Sequence, residues 1–197
     1  MMRIILPLSI CALVSPALSA APLNYNIATD ATVIGLSWNG LGDTPSQAKL
    51  AGVTGEVTLD PARDYNDSIR VKIPVTSLTA SNSLLTYQLK SSLFFDAMHY
   101  PLIIFTSTRV VEKGEGRFRI FGLLQVKDVQ RPVILEAALE DRGGTSAAEN
   151  ELALRATTTI SRAAFHMDRL AVLVDDKITI RIDIQAQQVP GELAGGP

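Results

Sequence analysis

Few side chains in this sequence could do chemistry. His99 and His166 are the only histidines, and the central strand region separates them. A general base or a zinc site needs partners at defined spacing. No such spacing surrounds either residue, so both are read as loop or rim residues. Asp175-Asp176 and Glu140-Asp141 are adjacent carboxylates, but each pair sits at a turn signal and reads as solvated acids. No G-x-S-x-G elbow, phosphate loop or dinucleotide glycine fingerprint occurs. Catalysis is therefore not supported, and no cofactor or metal is expected. Trp38 is the single tryptophan, and its indole N–H wants a partner.

The elements that must carry these residues are mostly strands. Ile178, Ile180, Ile182, Ile184 and Ala186 alternate with Lys177, Thr179, Arg181, Asp183 and Gln185. Period two with one apolar face marks a half-buried strand. The pattern recurs at Val53–Leu59, Ile69–Val75, Phe118–Val126, Val133–Leu139 and Leu152–Ile160. With the N-terminal runs 23–29 and 31–38, eight or nine strands result. Turn signals separate them at Asp60–Asp67, Lys113–Gly116, Asp128–Pro132 and Asp141–Asn150. One segment departs from period two: Leu84, Leu85, Leu89 and Leu93 recur at helical spacing between Ser81 and Phe95, behind a Ser81 or Asn82 cap. Amphipathic antiparallel strands in this number make a barrel or a sandwich, and periodicity alone does not separate the two.

Ahead of the strands, Arg3 precedes an apolar run from Ile4 to Leu18, followed by Ala17-Leu18-Ser19-Ala20. This reads as a secretory leader over residues 1–20, cleaved after Ser19 or Ala20, and points to export to the periplasm or beyond. Cys11 would leave with it, so the exported chain would carry no thiol. Removing Arg3 from the 18 basic residues leaves 17 against 20 acidic, a net charge of −3. That balance argues against nucleic acid as a partner. No other stretch is a candidate for a stable membrane span. The remainder, residues 21–189, is read as one domain, and 190–197 as a flexible tail.

An ordered set of short motifs resembles the YceI family of lipocalin-like, polyisoprenoid-binding proteins. These are Gly55-Glu56-Val57-Thr58-Leu59-Asp60-Pro61, Ser77-Leu78-Thr79 with Asn82, and Leu89-Lys90-Ser91 with Phe94-Phe95-Asp96. Tyr100-Pro101, a strand ending in Ser107-Thr108, Gly122 to Val133, Ser161-Arg162 with Phe165, and Asp176–Ile184 follow in order. Where the family often has histidine then glycine, this chain has Lys127-Asp128; where glycine commonly follows the aromatic near Phe165, it has His166.

The resemblance implies an all-β fold: an antiparallel eight-stranded lipocalin-like β-barrel with a short helix inserted near residues 82–95. It implies a non-catalytic periplasmic or secreted carrier of a polyisoprenoid or other long-chain lipid. The alternative is a ligand-free barrel acting in envelope stress or protein interaction, and a homodimer is left open. Expected lining residues are Ile34, Leu36, Trp38, Phe105, Phe118, Ile120, Ile180 and Ile182. Gly55, Gly122, Ala137 and Ala156 fall on the apolar registers and are expected to leave space along the axis. Phe94 and Phe95 either cap one barrel mouth or anchor the helix.

Overall fold

The computed structural model describes residues 21–40, 45–60, 63, 66–140, 150–169 and 174–190. The leader at 1–20, most of the tail and most of the Asp141–Asn150 loop lie outside the described residues. The strands are β1 (Leu23–Ile27), β2 (Val33–Trp38), β3 (Ser46–Leu50), β4 (Thr54–Leu59), β5 (Ser68–Pro74) and β6 (Thr79–Ala80). Helix α1 (Ser83–Lys90) comes next, followed by β7 (Leu102–Gly114), β8 (Arg117–Val126), β9 (Val129–Leu139), β10 (Glu151–Ser161) and β11 (Lys177–Gln188).

These segments form eight barrel strands, because the first six join in pairs. β1 and β2 lie in succession along one edge of β11, with Ile27 opposite Ala186 and Ile34 opposite Ile182. β4 and β3 lie along the other side of that kinked strand, and β5 and β6 along theirs. From β5 onward each strand pairs with the next, through β7, β8, β9, β10 and β11. β11 closes on β1, so the antiparallel meander forms a ring. Closure removes the free edges that an open sheet would expose.

Each kink is held by a hydroxyl that takes over from the ladder. Buried Thr32 donates from Oγ1 to the Gln185 carbonyl (3.3 Å) and accepts from the Gln185 N–H (3.2 Å), bridging the break in the first strand. Ser77 serves two breaks at once, accepting from Ala51 N–H (3.1 Å) and donating to the Pro74 carbonyl (2.7 Å). A backbone polar group left unpaired inside a sheet is costly, which explains a serine and a threonine at these points.

Four details differ from the sequence reading. β3 was not anticipated, since Ser46–Leu50 has only Ala48 and Leu50 on its apolar register. β7 does not end at Ser107-Thr108 but continues to Gly114 past a bulge between Ser107 and Arg109. The extra residue shifts the alternation, so Val110 rather than Arg109 points inward. The turn assigned to Asp128–Pro132 is only Lys127-Asp128, with Val126 opposite Val129, and Pro132 lies inside β9. By the antiparallel alternation counted from that closing pair, its nitrogen points away from β8. There β9 has no β10 partner, because the β9–β10 pairing covers only Glu136 to Leu139, so no ladder bond is lost.

The helix is also shorter than expected. Asn82 caps it, its side chain accepting from Leu85 N–H at 2.8 Å. It stops at Lys90, where Ser91 turns extended. Leu89 is buried, whereas Leu84 and Leu93 are exposed, so the leucine spacing overstated both length and burial.

An apolar interior and a vestibule beneath the helix

Inward registers from all eight barrel strands converge on one cavity of about 100 Å³. Among the described residues its lining is aliphatic and aromatic with the thioether of Met167, and Thr158 alone carries a hydroxyl. Of the expected lining residues, Ile34, Leu36, Phe105, Ile120, Ile180 and Ile182 meet there. Trp38 does not. It lies at the mouth and lines a second cavity of about 270 Å³. Phe118 lines neither; it pairs with Ala137 toward the opposite end of the barrel, beside Lys113, Arg117 and Arg119.

The small residues play a different part from the one expected. A methyl on Gly122 would stand 2.4 Å from the Phe105 ring, and one on Gly55 would stand 2.2 Å from the Arg70 carbonyl and 3.1 Å from Ile27 Cδ1. These glycines are therefore already filled over by neighbours: a ring lying on a strand glycine packs against bare backbone. Ala156 does face the interior cavity, and Ala137 does not.

The second cavity, a vestibule, forms where several separate chain segments meet. β2 and the stretch after it contribute Leu36, Trp38 and Gly40, and β3 contributes Ser46; α1 and the turn after it contribute Leu85, Gln88, Leu89, Phe94 and Phe95; the region around β10 and β11 contributes Arg162, Met167, Val174 and Ile178. Leu36, Phe95, Met167 and Ile178 line both cavities and so form the wall between them. Phe95 is buried at this wall, and Phe94 packs at the mouth, so the pair caps the barrel as well as anchoring the helix.

Arg162 is the one buried cation of the vestibule. Its Nε donates to the Asp175 carbonyl (2.9 Å), one terminal nitrogen to the Met167 and Arg169 carbonyls (2.6 and 2.7 Å), and the other to Val174 (2.8 Å). Four carbonyl dipoles thus replace water around the charge, and the segment bearing Met167 is clipped against the barrel. Among the described residues no carboxylate forms an ion pair with it. The nearby Asp176 instead accepts from the Ser161 hydroxyl and from Ala163 N–H (2.9 Å), and these bonds hold its carboxyl below the ordinary range. Sequence reasoning placed Ser161-Arg162 in a motif but not in a site, because the carbonyls it binds belong to an irregular loop with no periodic signal.

His99 sits in an exposed turn, its Nδ1 2.9 Å from Asp96, and His166 ends a short 3-10 turn at φ +55°. That left-handed backbone explains why glycine suits the position. Lys127, at φ +58°, opens the β8–β9 hairpin in the same region of conformational space. Among the described residues no three His, Cys, Asp or Glu side chains gather as metal ligands would. No helix among them is long and apolar enough to cross a membrane.

A closed eight-stranded barrel with an aliphatic interior, opening under a helix, defines a barrel binding protein of the lipocalin-like kind. Residues 25–186 match the YceI-like domain, and the chain belongs to that family. A UPF0312 protein of Photorhabdus laumondii is 30% identical over 143 residues, which span 72% of this chain and 74% of that protein. One from Vibrio cholerae is 26% identical over 139 residues, 70% of this chain and 74% of the relative. Among solved structures, Burkholderia cenocepacia BcnA superposes with a TM-score of 0.72 at 19% identity, over 82% of this chain and 99% of that one. A polyisoprenoid binding domain from Saccharophagus degradans gives 0.64 at 10% identity, over 85% and 99%. At these identities the superpositions show the shared fold.

Proposed function

We propose that this protein is a non-catalytic carrier of a polyisoprenoid or a related long-chain amphiphile, exported to the periplasm and holding the chain in the barrel interior. The observation that carries the reading is the interior itself, apolar on every strand, with Thr158 the sole hydroxyl among the described residues. Such a surface offers no directional polar contacts, so it selects by shape and apolar area. Each buried carbon group of a prenyl chain contributes about 0.8 kcal/mol gross, and ordering the chain offsets part of that. The polyisoprenoid binding domain of Saccharophagus degradans has the same fold, which supports this ligand class. The apolar run at Ile4–Leu18 behind Arg3 supports export.

Size sets a condition. A cavity of roughly 150 Å³ accommodates a benzene ring, and the interior here is about 100 Å³. A prenyl chain therefore enters only if the shared wall of Phe95 and Met167 yields and joins the interior to the vestibule. The second reading is a barrel that acts through protein contacts. The small resting volume favours it, as do Leu84, Tyr87, Leu93, Met98 and Leu102, all exposed around the mouth.

Native mass spectrometry of protein purified from its own envelope, followed by organic extraction, tests both readings. The carrier reading expects a stoichiometric lipid adduct. A bare mass, together with no uptake of added polyprenyl lipid, would overturn it in favour of the second.

A further inference from the structure

The strand glycines differ in what demands them. Gly55 and Gly122 are fixed by neighbours that leave no room for a methyl. Gly35, inside β2, is not. Its φ is not positive, β2 pairs on both sides without a slip in register, and an added Cβ would come no closer than 3.9 Å to the Arg181 carbonyl. Glycine inside a strand costs stability through the freedom it has when unfolded, so the fold alone would favour a side chain here. A strand glycine without bulge or crowding marks a place where something approaches the backbone from outside.

Gly35 faces outward, since Ile34 and Leu36 on either side of it line the interior. Pairing puts Arg181 of β11 on one flank and Lys49 of β3 on the other, each a strand spacing of about 4.8 Å away, and both are exposed. Ser37 and Thr179 stand side by side in the next outward row toward the mouth. Neither cation has an ion-pair partner among the described residues. The nearest carboxylates on this face are already taken: Asp183 by Arg155 (2.9 Å), and Glu136, beyond Thr157, by Arg119 (2.7 Å). A notch floored by bare backbone therefore lies between two unpaired positive charges, on a chain whose net charge is −2.

We propose that this outer face is a docking site for an acidic segment of a partner protein, with a carboxylate side chain seated over Gly35 between Arg181 and Lys49. The two charges select an anion, and the exposure of the face selects a protein to carry it. A carboxylate paired with exposed cations in open water gains little. A partner that covers the face excludes that water, strengthens both pairs and fixes the register of docking. The outer wall is separate from both cavities, so docking does not depend on what the interior holds.

Two measurements on the purified protein test the site. In thermal unfolding, Gly35→Ala should leave Tm unchanged or raise it; a lower Tm would show that the fold itself needs this glycine and would overturn the docking site. Amide NMR spectra are then recorded during titration with a peptide of alternating glutamate and threonine, and with its glutamine counterpart. The glutamate peptide should shift the Gly35, Ser37 and Arg181 amides, and the glutamine peptide should not. Arg181→Gln, Lys49→Gln and Gly35→Ala should each weaken glutamate-peptide binding several-fold. No shift at Gly35, or equal shifts with both peptides, overturns the assignment. Binding to phosphatidylglycerol vesicles, or self-association, that is lost in Arg181→Gln and Lys49→Gln without any peptide response also overturns it, giving the face to an anionic membrane or to a second copy of this chain.

Discussion

Replacing Ala156 by leucine tests whether the interior is unfilled space. Ala156 is buried on β10, and its methyl faces the cavity. Core cavities cost about 24 cal/mol for each Å³ left open, so one of about 100 Å³ carries roughly 2.4 kcal/mol. Leucine adds three carbons, worth about 2.4 kcal/mol gross if all are buried. Fitting a new rotamer among Ile182, Ile184 and Leu154 takes back part of this, as overpacking does. A net gain of about 1 kcal/mol is expected, which for a domain of this size raises Tm by about 2–4 °C. The same side chain occupies the volume a prenyl chain needs, so lipid uptake should fall at least about tenfold. The assay pairs calorimetric unfolding of the stripped protein with a farnesyl phosphate titration. A lower Tm combined with undiminished uptake would refute the reasoning, since it would place the ligand elsewhere and the interior already full.

Three further outcomes follow from the packing and the hydrogen bonds. Gly122→Ala forces a methyl to 2.4 Å from the Phe105 ring and should cost about 1–3 kcal/mol by urea denaturation; an unchanged midpoint would mean that the ring moves freely. Asn82→Ala removes the cap on Leu85 N–H and should cost about 1 kcal/mol, read as faster amide exchange across α1 and unchanged exchange in β10 and β11. Asp176 titrates lower in the folded chain than in the unfolded one, so its contribution is complete above about pH 3.9 and is lost as pH falls through the lower folded value. The Tm difference between the native protein and Asp176→Asn should therefore shrink as pH falls below about 4, and a pH-independent difference would contradict this.

Legibility in the sequence followed regularity of backbone. The strict alternation Ile178 to Ala186 identified β11 and its inward face, and six of the eight expected lining residues met because period two fixes orientation. Distance along the axis is not written in that period. Phe118 shares the inward register of Ile120 yet lies at the far end, and Trp38 shares that of Leu36 yet lies at the mouth. Nor does a glycine on an inward register announce space: whether Gly122 leaves a gap depends on a ring from the adjacent strand. The barrel itself came from family likeness, since closure depends on the pairing of β1 and β2 with β11, which no local pattern encodes. The vestibule was least visible. Leu36, Gln88 and Arg162 come from three distant segments, and the chemistry of Arg162 depends on loop carbonyls whose positions no side-chain pattern reveals.

The closing seam has a consequence for how the chain reaches this shape. Every other neighbouring pair of barrel strands is consecutive along the chain and can form as the second member becomes available. The seam instead brings Thr32 against Gln185, 153 residues apart. Loop-closure entropy places such a contact late. Until β11 docks, the growing sheet has two unsatisfied flanks, one along β1 and β2 and one along β10, both with aliphatic faces behind them. A chain cut short before Lys177 would keep those flanks permanently and should self-associate through them. The last strand thus acts as a commitment step, and the interval before it docks is when the protein most needs protection from its own copies.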